Sequence, residues 1–187
     1  GTSNLDVIDV DGAANFAADV TFADGADIIT ATAGTSNFRA GVNAGNSIES
    51  GGNYNVVVGD EAGTAITTGD NNTAVGYNAG TAVTTGTSNT AIGFKALDAN
   101  TTASNNTAIG KSALGSNTDG ASNTAVGFST LASNTTGANN VAVGRESLGN
   151  NTTASNNTAL GYAALLTNTT GTRNTAVGAL AGDANTE

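Results

Sequence analysis

Cysteine, histidine, methionine, proline and tryptophan are all missing from this chain of 187 residues. Without Cys or His there is no disulfide framework, no haem attachment and no Cys/His zinc site. Nor is there a histidine base or a cysteine nucleophile for triad chemistry. Charged residues make up only 11% of the chain, with 5 Lys and Arg against 15 Asp and Glu, a net charge of −10. A phosphate backbone needs clustered cations, so nucleic acid is not an expected partner. No apolar run approaches the ~20 residues that span a bilayer, and no signal-peptide pattern is present. Membrane insertion is therefore not expected. No cofactor or catalytic residue is assigned.

Aromatic residues are 4% of the chain, and large apolar residues are few. Such a composition points by itself to disorder, so order must come from repetition. The motif Asn-Thr-Ala-aliphatic-Gly starts at Asn72, Asn89, Asn106, Asn123, Asn157 and Asn174, with variants at Asn55 and Asn140. Every step is 17 residues, with no slip across eight starts. Counting the Asn as position 1, the unit reads N-T-A-V-G-x-x-A-L-x-x-N-T-T-G-x-x. A period of 17 is too short for the common helical repeats and suits one turn of a β-solenoid. Thr, Asn and Gly are poor helix formers. The predicted fold is all-β: a β-solenoid or β-roll of 17-residue coils, with a short strand over positions 2 to 5 closed by Gly.

Position 4 is always aliphatic (Val58, Val75, Ile92, Ile109, Val126, Val143, Leu160, Val177) and is expected inside the coil. Position 9 supplies the second core residue: Leu97, Leu114, Leu131, Leu148 and Leu165. The two earliest coils have Gly63 and Gly80 there, but carry Ile66 and Val83 at position 12, where later coils have Asn100, Asn117, Asn134, Asn151 and Asn168. This compensation predicts that each coil buries one aliphatic from its second limb. The small residues at positions 3 and 8 suit close packing between chains. The Asn columns at positions 1 and 12 predict stacked amide ladders. The sequon-like Asn100-Thr101-Thr102 follows from an Asn/Thr-rich repeat. No Asn-Gly dipeptide occurs, which favours coils over a hairpin meander.

Residues 55–187 therefore form the repeat. Residues 37–54 begin like a coil but run one residue long, an irregular first coil. Residues 1–36 do not fit the unit and are predicted to be a strand-rich shaft segment with Asp-Gly turns. Asp6, Asp9 and Asp11 match no EF-hand loop, so no metal site is assigned.

Position 6 holds Asp60, Tyr77, Phe94, Lys111, Phe128, Arg145, Tyr162 and Ala179. Four of the chain's eight aromatics share this column. Stacked coils would turn Tyr77, Phe94, Lys111, Phe128, Arg145 and Tyr162 into a candidate binding stripe for a sugar or an anionic glycan. The competing reading is an edge seal between chains.

The coils Asn89–Asn105, Asn123–Asn139 and Asn157–Arg173 closely resemble the N-T-A-x-G-x-x-A-L-x-x-N-T-T-G repeats of phage tail-fibre proteins. They are also similar to the head repeats of trimeric autotransporter adhesins. The resemblance implies a parallel homotrimeric fibre, extracellular and part of a virion tail, that attaches to a host cell-surface glycan or protein and joins other fibre or baseplate proteins. A bacterial trimeric surface adhesin is the alternative. An ice-binding β-solenoid is the second, because Thr73, Thr90, Thr107, Thr124, Thr158 and Thr175 fall in one row at position 2. Paired carboxylates at a constant position are lacking, so glycoside hydrolysis is not expected.

Overall fold

The computed structural model describes residues 33–184. The shaft segment expected over residues 1–36 lies almost wholly outside the described residues, as do Asp6, Asp9 and Asp11. Among the described residues the regular elements are nine three-residue strands and no helix. They are β1 (Phe38–Ala40), β2 (Val56–Val58), β3 (Thr73–Val75), β4 (Thr90–Ile92), β5 (Thr107–Ile109), β6 (Thr124–Val126), β7 (Val141–Val143), β8 (Thr158–Leu160) and β9 (Thr175–Val177).

The strands form one parallel sheet in chain order, each beside the next. Thr107 pairs with Thr124, Ala108 with Ala125 and Ile109 with Val126, an offset of 17 that holds from β2 to β9. Between β1 and β2 the offset is 18, with Phe38 opposite Val56. Parallel neighbours one repeat apart define a β-solenoid whose coils rise by the strand spacing, about 4.8 Å. The other limbs stack too: Thr118 N–H donates to Thr135 O at 3.0 Å, and Thr135 N–H to Thr152 O at 2.8 Å.

Gly at position 5 ends each strand. Gly110 has φ +132°, and a Cβ there would lie 2.4 Å from Gly127 O, so both the turn and the coil spacing require glycine.

The core differs from the expected one at the sheet. Position 3, not position 4, points inward: Ala74, Ala91, Ala108, Ala125, Ala142 and Ala159 are buried, and so is Val57. Position 4 points out, with Ile92, Ile109, Val143 and Leu160 each 37–38% exposed. Successive strand residues alternate between faces, so only one of the two neighbouring positions can be inside. The solenoid is narrow, and an Ala there already meets the Leu of the opposite limb. The small residues at positions 3 and 8 are thus core residues of a single chain and not contacts between chains. Ala62, Ala79, Ala96, Ala113 and Ala164 at position 8 are buried, as are Leu97, Leu114, Leu131, Leu148 and Leu165 at position 9. Where position 8 becomes polar its hydroxyl is satisfied, Thr130 Oγ1 donating to Gly144 O at 2.7 Å and Ser147 Oγ to Ala159 O at 3.0 Å.

The expected amide ladders are present. The position-1 asparagines from Asn55 to Asn157 are buried, and each side-chain oxygen accepts the backbone N–H of the next Asn in the column. Asn72 N–H bonds Asn55 Oδ1 at 2.8 Å, and Asn140 N–H bonds Asn123 Oδ1 at 2.9 Å. The amide groups of Asn55, Asn72, Asn89, Asn123, Asn140 and Asn157 donate to the carbonyl at position 15, as in Asn123 Nδ2 to Gly137 O at 2.8 Å, whereas the buried Nδ2 of Asn106 has no partner. The position-12 column forms a side-chain ladder from Asn100 on, each later Nδ2 donating to the Oδ1 one coil before it: Asn134 Nδ2 reaches Asn117 Oδ1 at 2.7 Å, and also Gly137 O at 3.0 Å. Asn100 is fully buried and its Nδ2 donates to Ala103 O at 3.0 Å, so the sequon at Asn100-Thr101-Thr102 is closed to a glycan in the folded coil.

Candidate functional site: the position-6 column

Position 6 follows the turning glycine, so its side chain leaves the coil just beyond the strand. Exact 17-residue registry then sets these side chains one above another. Tyr77, Phe94, Phe128 and Tyr162 are 43–48% exposed, far more than any core residue.

Within the column the side chains touch along the stack. The Tyr77 and Phe94 rings are stacked, with centroids 5.6 Å apart and an interplanar angle of 21°. Lys111 Nζ lies 5.5 Å from the Phe94 centroid and 5.8 Å from that of Phe128. Arg145 Cζ lies 5.6 Å from Phe128 and 5.8 Å from Tyr162. All six candidate residues thus form one continuous ladder, in which each cation sits between two rings. Such contacts contribute about 0.5–1 kcal/mol each at exposed sites.

The geometry limits what the column can do. Ring and cation partners are arranged along the stack, so the faces of Phe94 and Phe128 are already occupied by Tyr77, Lys111 and Arg145. Outward, the ladder offers ring edges, two phenol hydroxyls and cationic tips. The Arg145 charge is shared with Glu146, whose Oε1 is 3.0 Å from Nη2. Lys111 has no carboxylate partner within the described residues and remains a free cation on an acidic molecule.

Sequence reasoning missed Lys95, which stands at position 7 and brings Nζ to 5.9 Å from the Phe94 ring. A cation one residue after the aromatic, rather than one coil away, was the available signal. Lys95 also faces Asp98. Burial pushes the Asp98 carboxyl above its ordinary range, opposed by the charge of Lys95 and by a hydrogen bond from its own backbone.

The position-13 threonines donate along the stack. Thr118 Oγ1 bonds Thr135 O at 3.2 Å and Thr135 Oγ1 bonds Thr152 O at 3.1 Å. Among the described residues no group of three or more Asp and Glu could hold a metal ion. No protein-family model, curated protein or solved structure matches the chain.

Proposed function

We propose that the chain is a structural and receptor-binding segment of a phage tail fibre, working as a parallel homotrimer outside the cell. The observation that carries this reading is the uninterrupted parallel stack itself, nine strands in chain order with one outward ladder of rings and cations. A rod that repeats its surface at about 4.8 Å suits reach and many-point attachment better than it suits an enclosed reaction. The tail-fibre-like repeats supply the phage assignment and the trimeric state. Tyr77, Phe94, Lys111, Phe128, Arg145 and Tyr162 are the receptor-contacting residues in this reading. Ring edges, phenol hydroxyls and Lys111 suit a polar or anionic host-surface group.

The test is a Tyr77→Ala, Phe128→Ala, Tyr162→Ala variant, checked first for trimer mass by light scattering. An intact trimer that no longer binds host cells supports the reading. An intact trimer that binds as well as the parent removes these residues from receptor contact.

A further inference from the structure

We infer that the outer face of the sheet, built from positions 2 and 4, is the surface on which the copies of this chain meet, a placement that rests on the trimeric reading above. Three observations carry it. First, half of the face is aliphatic where a surface of a lone chain would be expected to be polar. Val58, Val75, Ile92, Ile109, Val126, Val143, Leu160 and Val177 form an unbroken aliphatic row, and Ile92, Ile109, Val143 and Leu160 are over a third exposed. Beside it runs the row Val56, Thr73, Thr90, Thr107, Thr124, Val141, Thr158 and Thr175.

Second, the face carries no charge. The chain has a net charge of −10, yet from β2 to β9 neither row contains an Asp, Glu, Lys or Arg. The acids of the repeat region stand at other positions, such as Asp60, Asp70, Asp98, Asp119 and Glu146. Copies of so acidic a chain repel one another over most of their surface, and this face is where they can approach without opposing charges.

Third, the size fits. Nine strands about 4.8 Å apart and about 10 Å long give roughly 400 Å² of flat sheet, within the size range of the largest, often functional, patch on a monomer. The partner is a second copy because identical rows at one fixed spacing match themselves in parallel. The threonine row suits ice less well, because Val56 and Val141 interrupt it and the neighbouring row mixes Val, Ile and Leu.

The chain has no native cysteine, so single thiols report on the face directly. Ile109→Cys and Val126→Cys place a thiol on the aliphatic row, and Thr136→Cys places one on the exposed turn at position 14. Each variant is checked for parental circular dichroism and mass, then labelled with a charged maleimide. In a trimer, the thiols at 109 and 126 should react at least about tenfold more slowly than the thiol at 136, because reaction needs access. A trimer in which all three react equally fast overturns the placement and leaves the trimeric reading standing. A monomeric parent overturns the trimeric reading and this inference with it. Thermal hysteresis from a chain whose 109 and 126 thiols react freely would assign the face to ice instead.

Discussion

In the coils that begin at Asn55 and Asn72, Gly63 and Gly80 stand where the next five coils carry Leu97, Leu114, Leu131, Leu148 and Leu165. The same two coils bury Ile66 and Val83 where the later ones bury Asn100, Asn117, Asn134, Asn151 and Asn168. A Cβ on Gly63 would lie 2.8 Å from Ile66 Cδ1 and 2.6 Å from Val57 Cγ1, so the aliphatic from position 12 fills the space that the leucine occupies elsewhere. The two kinds of coil also differ in backbone cost. Position 9 is left-handed in both, with φ +53° at Gly63 and +50° at Leu131. Glycine adopts this freely, whereas a leucine there is strained by about 1–3 kcal/mol. The leucine coils offset that by adding the second Asn ladder. The fold thus demands one large aliphatic per coil and accepts it from either side of the second limb.

The largest predicted effect is removal of that aliphatic. Leu131→Ala should cost about 2–5 kcal/mol by leaving a cavity, and Val83→Ala in the other coil type should cost less but still be plain in a thermal melt. If either is silent, the single-aliphatic rule fails for that coil type. Next comes the position-1 ladder, which both coil types share. Asn123→Ala and Asn72→Ala should each cost about 1–3 kcal/mol, because a buried backbone N–H and a buried carbonyl lose partners. Hydrogen exchange should speed up at Asn140 N–H in the first variant and Asn89 N–H in the second, since these groups bond Asn123 Oδ1 at 2.9 Å and Asn72 Oδ1 at 3.0 Å.

Smaller still is the hydroxyl ladder at position 13. Thr84→Ala and Thr135→Ala each remove a hydrogen bond of 3.1 Å to the next coil and should cost about 0.5–1.5 kcal/mol, alike in the two regions. The smallest effect is at the junction of the two coil types. Asp98 has a raised folded-state pKa, so its ionisation weakens the fold above that value, and the weakening disappears as pH falls through it towards the ordinary value. Asp98→Asn should raise the melting temperature slightly at neutral pH and not below the ordinary carboxylate range.

The repeat length, a short strand (expected over positions 2 to 5, found over 2 to 4), the turning glycine, the Asn ladders and the exchange between positions 9 and 12 were all legible in the sequence, because each leaves a column of one residue type. The inward face of the strand was not. Ala at position 3 reads as a spacer and Val or Ile at position 4 as core, and alternation permits either phase. The deciding clue was Val57, the one large residue at position 3, which occurs in a coil whose position 9 is glycine and so has room for it. The position-6 ladder was legible as a column. The stacking of rings and cations along it depends on rotamers that spacing does not fix. Lys95 joined from another position for the same reason.

The exchange of one aliphatic between two positions is tested most directly by a double-mutant cycle at Leu97 and Asn100, in the first leucine coil. Leu97→Gly alone should cost about 2–5 kcal/mol through its cavity. Asn100→Val alone should cost about 1–3 kcal/mol, because it crowds the leucine and removes the Oδ1 that accepts from Asn117 Nδ2 at 3.1 Å. The double variant recreates the glycine and valine pairing of the preceding coil and should recover at least about 1 kcal/mol relative to the sum of the single losses. Losses that add to within about 0.5 kcal/mol would show that the two positions pack independently, and would contradict the account.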